Sequence, residues 1–270
     1  FEARSGKAVV TRWLVSGKDS APGLAVRPRH RAVSYTKRVD GKNQLFVQSI
    51  DESEAVLYAS TPSIISYRWS PDSLSVAFTT LDPMPPQRAD AKQRGFEPIV
   101  YDEDWRHISL WVVGKGGTPR RLTSGTTVYD FRWSPDSKKI ACACAPRNTT
   151  DDSYMHKRLH ILDVASSRLN KLVENPGKLG DFAFTQNGAR LFYISASYRN
   201  DPHAGSLFTV PTAGGEPEFR SKGFLGMVQH IKPTSSGVLL QESTGVATRL
   251  THLNGAGKPE WIYNPKAARL

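Results

Sequence analysis

The chain has 270 residues, of which 39% are hydrophobic, 10% aromatic and 23% charged. That apolar content excludes global disorder, and the length suffices for a core that buries most of the surface of the unfolded chain. The net charge is +11, and no apolar run approaches the roughly 20 residues of a bilayer-spanning helix, so no such membrane span is expected.

Residues 1–20 show no charged-then-apolar signal peptide, and residues 8–15 read as a strand. Residues 1–48 hold 10 basic and 3 acidic side chains. These basics lack the aromatic interleaving of a base-stacking platform, so the reading is a solvated basic face and no nucleic-acid partner. The chain opens on Phe1 without a methionine and stops soon after the strand-like Trp261-Ile-Tyr263, which suggests a segment of a longer polypeptide. The compartment is read as cytoplasmic or periplasmic.

A repeated unit then dominates. Residues 67–78 read Tyr-Arg-Trp-Ser-Pro-Asp-Ser-Leu-Ser-Val-Ala-Phe, and residues 131–142 read Phe-Arg-Trp-Ser-Pro-Asp-Ser-Lys-Lys-Ile-Ala-Cys. Weaker copies lie at 24–35, 182–194 and 231–240. Aligned on Pro28, Pro71, Pro135, Gln186 and Pro233, the units are 43, 64, 51 and 47 residues apart. Each Ser-Pro-Asp-Ser is a tight turn: proline presets φ, and the Ser and Asp side chains bond back to the backbone. The turn joins a short strand ending in an aromatic residue to a β-branched and aromatic strand, a hairpin with one buried face. Third strands follow near 44–49, 110–113, 159–164, 206–210 and 248–253, and fourth strands near 54–58, 120–123, 169–172, 218–220 and 258–262.

A period in the forties with four short strands per unit predicts an all-β fold, a β-propeller of four-stranded antiparallel blades. The blades fall at about 21–61, 62–123 with an insertion at 81–106, 124–174, 175–222 and 223–264, within a single propeller domain spanning 1–270. Five blades are present, and an open arc leaves unpaired edges, so the expectation is a fragment of a seven- or eight-bladed ring. Trp69 and Trp133 are expected to pack between blades, and Asp72 and Asp136 to serve their turns.

Catalytic and metal chemistry find little support. Cys142 and Cys144, the two cysteines, point to one face of one strand and read as small buried hydrophobes. The seven histidines are scattered, and no His, Cys or carboxylate cluster has ligand spacing, so no metal or cofactor is expected. The sequence contains no Gly-x-Ser-x-Gly nucleophile elbow.

The stretches Ile99-Val-Tyr-Asp-Glu-Asp-Trp-Arg106, Leu110-Trp-Val-Val113, Arg120-Arg-Leu-Thr123 and Val128-Tyr-Asp-Phe-Arg-Trp-Ser-Pro-Asp136 resemble the N-terminal propeller of prolyl oligopeptidase family serine peptidases. The resemblance is nearest to the acylaminoacyl-peptidase-like and dipeptidyl-peptidase-like branch. It covers roughly residues 24–264, and Asn200–Phe208 and Ala213–Pro217 extend it. It implies a C-terminal α/β-hydrolase domain carrying Ser, Asp and His as partner, and a peptide as substrate. This chain would then be the non-catalytic, substrate-gating domain. The insertion would supply contacts to the peptide's free α-amino group through Asp102, Glu103 and Asp104, beside Arg106. The plainer alternative is a solvated acidic triplet bonded to Arg106 or Arg94. Periplasmic Tol-system propellers use the same turn, which leaves a stand-alone protein-binding propeller as the second reading.

Overall fold

The structure, a computed structural model, describes residues 23–52, 54–61, 63–96, 98 and 105–263. The strand expected at 8–15 and the acidic triplet 102–104 lie outside them. The described residues form five four-stranded antiparallel sheets, each in simple sequence order. The first holds β1 (Ala25–Val26), β2 (Ala32–Val39), β3 (Lys42–Ser49) and β4 (Ala55–Thr61). The second holds β5 (Ser66–Trp69), β6 (Ser75–Leu81), β7 (Ile108–Gly114) and β8 (Arg120–Arg121), with helix α1 (Pro86–Gln93) between β6 and β7. The third holds β9 (Thr127–Trp133), β10 (Lys139–Ala145), β11 (Arg158–Asp163) and β12 (Leu169–Val173), with helix α2 (Thr150–Met155) between β10 and β11. The fourth holds β13 (Leu179–Phe184), β14 (Arg190–Ser195), β15 (Ser206–Pro211) and β16 (Glu218–Phe219). The fifth holds β17 (Met227–Pro233), β18 (Gly237–Thr244), β19 (Ala247–Asn254) and β20 (Pro259–Tyr263).

The repeated turn explains each first hairpin. In the third sheet Ser134 Oγ donates to Asp136 Oδ1 (2.6 Å) and accepts from Lys139 N (2.8 Å), while Lys138 N donates to the same carboxylate (3.1 Å). Ser70 and Asp72 repeat this in the second sheet, and Thr185 with Asn187 in the fourth. The fourth turn residue is left-handed, with φ of 64° at Ser73, 61° at Ser137 and 69° at Gly188. Serine has a reason to stand there despite its Cβ. Ser137 Oγ accepts from Asp72 N (3.1 Å), and Ser73 Oγ donates to the Pro28 carbonyl, so each hydroxyl ties its turn to that of the preceding blade.

The fifth turn departs from the sequence alignment. Thr234, not a residue before Pro233, takes the place of Ser70, since Gly237 N donates to Thr234 Oγ1 (3.0 Å) and Thr234 N to the Gly237 carbonyl (2.9 Å). Pro233 ends the strand itself, and the turn is two residues shorter than the others.

Four apolar clusters join the five sheets in succession. Leu45 and Tyr58 meet Trp69, Val76 and Phe78; Ala77 and Leu110 meet Phe131, Ile140 and Leu162; Ala141 and Leu159 meet Phe182 and Leu191; Phe192 and Ile194 meet Val228, Ile231 and Leu240. Alternation along each strand sends alternate residues to the two neighbouring blades, which is why both faces read as apolar. Among the described residues no such cluster joins the fifth sheet to the first. On the far face of the fifth, Trp261 and Tyr263 are about half exposed, at 48% and 57%.

The first strands carry a second tie. Arg68 bonds Asp130 (3.2 Å), Arg132 bonds Asp130 (2.6 Å) and Asp181 (2.9 Å), and Asp181 accepts Ile231 N (3.1 Å). The guanidinium groups of Arg68 and Arg132 also lie 5.7 and 5.3 Å from the rings of Phe131 and Phe182 in the next blade. This ladder of alternating charge links blades two to five. Trp133 Nε1 donates to the Arg68 carbonyl (3.1 Å) and Trp69 Nε1 to Ser34 Oγ (2.8 Å), so both tryptophans pack between blades as expected.

Candidate functional site

An antiparallel meander puts the first-to-second and third-to-fourth turns at one end of a blade and the second-to-third connections at the other. Two of those second-to-third connections are long, and they stand side by side. In the second blade the connection runs from Asp82 to His107, and in the third from Pro146 to Lys157. The insertion read from the sequence therefore emerges beside a second excursion that the sequence reading did not single out.

The root of the insertion is fixed tightly. Asp82 N donates to the His107 carbonyl (2.8 Å), closing the two arms. The Asp82 carboxylate accepts from Ser109 Oγ (2.6 Å) and from Arg121 Nη2 (2.6 Å). Arg106, one of the four candidate contacts, donates from Nη1 to the Asp82 carbonyl (3.0 Å). That side chain clamps the root, while its carbonyl accepts from Asn148 Nδ2 (3.0 Å) and joins the two excursions. Trp105 packs edge-on against His107 at 4.9 Å, and His107 Nδ1 lies 3.0 Å from Thr127 Oγ1. Asp102, Glu103 and Asp104 lie outside the described residues. Arg94, the other partner considered for them, pairs with Asp90 of α1 (2.8 Å).

The second excursion is ordered by its own sequence. Thr149 caps α2 by accepting from Asp152 N (3.3 Å), a helix start of the Thr-x-x-Asp kind. Asp152, with 2% of its side chain exposed, accepts from Arg147 N (2.9 Å) and Arg147 Nε (3.1 Å). Tyr129 braces the loop by donating to the carbonyls of Arg147 (3.0 Å) and Thr149 (3.2 Å). Burial, with the Asp152 charge behind it, pushes that phenol up to about 12.

Beside the second excursion lies a cleft of about 680 Å³, lined by Gly125 and Thr126, by Cys144, by Arg147, Asp152 and His156, and by Arg158, His160, Lys171 and Glu174. Glu174 is 61% exposed and is held by Arg158 (2.5 Å) and by Lys171, whose hydrogen bonds keep its carboxyl below the usual range. His160 Nδ1 faces the Arg158 carbonyl (2.9 Å), so that nitrogen carries the proton. The Cys142 thiol and the His160 ring lower the Cys144 thiol, whereas burial raises that of Cys142. Both cysteines are buried, as their place on one strand suggested. Among the described residues no group of three metal-ligating side chains forms. The cleft thus offers hydrogen-bond donors and acceptors and charges of both signs.

Comparison with known proteins locates the architecture. No protein-family model matches the chain, and no curated protein matches it. Among solved structures, a putative TolB from Agrobacterium tumefaciens superposes with a TM-score of 0.59 at 12% identity, covering 94% of this chain and 83% of that one. The β-propeller domain of the Trilobed protease from Pyrococcus furiosus, described with an open velcro topology, gives 0.59 at 12% identity over 92% and 72% of the two chains. Acylaminoacyl peptidase from Pyrococcus horikoshii gives 0.63 at 14% identity, and this chain spans 39% of its length. At such identities the shared property is the fold, and the described residues form five four-stranded antiparallel blades of a β-propeller.

Proposed function

We propose that this propeller is the non-catalytic, substrate-gating part of a prolyl oligopeptidase family serine peptidase, acting with a C-terminal α/β-hydrolase domain on short peptides. The observation that carries the reading is the pairing of two long excursions, joined by Asn148 and Arg106, with a charged cleft beside the second of them. A peptide entering between a propeller and a hydrolase needs polar groups of both signs at the propeller end. Asp102, Glu103 and Asp104 belong to the first of these excursions in sequence, and in this reading they take the peptide's free α-amino group. The uncovered aromatic face of the fifth sheet supports a larger ring, in which a further blade packs on Trp261 and Tyr263.

A second reading, a protein-binding scaffold, is favoured by the likeness to TolB, of which this chain covers 83%. Two observations separate the readings. A Gly-x-Ser-x-Gly with later Asp and His in the coding sequence after Leu270 supports the peptidase. The purified chain should also bind a free-amine tripeptide at least five times more tightly than its N-acetylated twin, and Asp102→Ala with Glu103→Ala should remove the difference. Equal affinities for the two peptides would overturn the amine-recognition role.

A further inference from the structure

The opposite end of the sheets carries a second cavity, between blades one and two. It is about 240 Å³, and four of its lining residues are cations or potential cations: Arg27, His30, Arg31 and Lys115. One carboxylate, Glu52, lines it as well, and Arg31 also reaches Asp51 at 3.5 Å.

Arg27 is the residue that breaks the repeat. It occupies the turn position held by Ser70, Ser134, Thr185 and Thr234, since Arg27 N donates to the Ala32 carbonyl as those residues do to their own partners. In the other four blades a hydroxyl there bonds the turn. In blade one the long side chain instead runs under the next blade. Its guanidinium carbon lies 4.9 Å from the Trp69 ring and 6.0 Å from the Tyr58 ring, and Nη2 donates to the Ser73 carbonyl (3.1 Å). Its Nε–H is buried without an acceptor, and among the described residues no carboxylate pairs with it. A buried donor left unmade is costly, and two rings and a carbonyl hold the guanidinium in place, so that binding an oxyanion need not order it. Lys115 and Arg31, both exposed, stand at the rim with His30.

The opposite wall is apolar. Val47, Val56 and Tyr58 form it, on the face of the first sheet turned to blade two, and Val56 remains 52% exposed. The volume corresponds to roughly eight waters at ~30 Å³ each, room for a body the size of one amino-acid residue.

We propose that this cavity is a binding site for a carboxylate carried on a small apolar body, either a free acyl amino acid or the C-terminal residue of a peptide, with Arg27 as its anchor. The carboxylate meets Arg27 and Lys115, and the aliphatic part lies on Val47 and Val56. The site stands apart from the cleft beside the second excursion, and it holds whether or not that cleft receives peptide amines.

The test is an amide-proton NMR titration of the full chain with N-acetyl-leucine, N-acetyl-leucinamide, acetyl-Ala-Ala-Leu and inorganic phosphate. N-acetyl-leucine should shift resonances of residues 27–32, 54–58 and 114–116, and the leucinamide should bind at least tenfold more weakly. Arg27→Gln should weaken binding about tenfold, the loss of one charge-assisted contact. Lys115→Gln, in an exposed turn, keeps the fold and should weaken it about threefold. Acetyl-Ala-Ala-Leu binding as well as N-acetyl-leucine assigns the site to peptide C-termini, and its failure beside a binding N-acetyl-leucine assigns it to small acids. Phosphate binding as tightly as N-acetyl-leucine overturns the role of the apolar wall. Equal binding of acid and amide, or a Lys115→Gln chain with unchanged affinity and an Arg27→Gln chain likewise, overturns the site.

Discussion

Removing Asp181 is expected to loosen the propeller out of proportion to the size of the side chain. Its Oδ1 accepts from Arg132 Nη2 and from Phe182 N, each at 2.9 Å, and its Oδ2 accepts from Ile231 N at 3.1 Å. With 18% of this side chain and 26% of that of Arg132 exposed, the ion pair is partly screened and contributes about 1 kcal/mol. The larger loss is at Ile231, a residue only 5% exposed, whose N–H would be left without its acceptor at a cost of about 2 kcal/mol. Asp181→Ala should therefore destabilise the chain by about 3 kcal/mol, a fall in melting temperature of roughly 6–12 °C for a protein of this size. Asp181→Asn keeps a carbonyl oxygen for one N–H and should lose about half as much. Urea unfolding followed by tryptophan fluorescence measures this, with Arg132→Ala and the double variant completing a cycle whose coupling should be near 1 kcal/mol. A loss below about 1 kcal/mol for Asp181→Ala, or strict additivity with Arg132→Ala, would refute the idea that the ladder ties blades three, four and five.

At Ser137, with φ of 61°, alanine should be worse than glycine. Ser137→Ala keeps the left-handed strain and loses the bond from Asp72 N, costing about 1 kcal/mol, whereas Ser137→Gly loses the bond but relieves the strain and should be nearly neutral; equal thermal stabilities would contradict this. The hydrogen bond from Ser134, outweighing burial, keeps the Asp136 carboxyl below its ordinary value of 3.8. A depressed folded-state value stabilises above the unfolded value and is lost as pH falls through the folded one, so stability should drop below about pH 3.8 and Asp136→Asn should flatten that slope in acid-unfolding curves. Phe131, fully buried where blades two and three meet, should cost about 4 kcal/mol when replaced by alanine, read by the same urea titration.

The parts legible in the sequence were those governed by neighbours along the chain. Ser70-Pro-Asp-Ser73 and Ser134-Pro-Asp-Ser137 fold on themselves, so their chemistry and their recurrence gave the blades and the roles of Asp72 and Asp136. Alignment on proline failed at Pro233, because there the turn is shorter and the hydroxyl of Thr234, rather than the proline, marks its start. The excursion containing α2 had a readable sign in Thr149 and Asp152, a cap pattern inside an all-β text, but the cleft beside it joins residues from 125 to 174 that no local pattern connects. The same holds for the ladder of Arg68, Asp130, Arg132 and Asp181, whose partners lie 49 and 62 positions apart along the chain. Arg27 precedes Pro28 where the stronger copies carry serine, but this difference was not singled out in the sequence, and its position under Trp69 depends on how two blades meet.

The most direct test of the peptide-gating account is photo-crosslinking of the chain with a free-amine tripeptide carrying a photoreactive second residue, mapped by mass spectrometry. The account predicts adducts in the insertion around Trp105–His107 and in the excursion Pro146–Lys157 beside the cleft. Adducts confined to the opposite end of the blades, or an undiminished yield when the peptide's amine is acetylated, would contradict it.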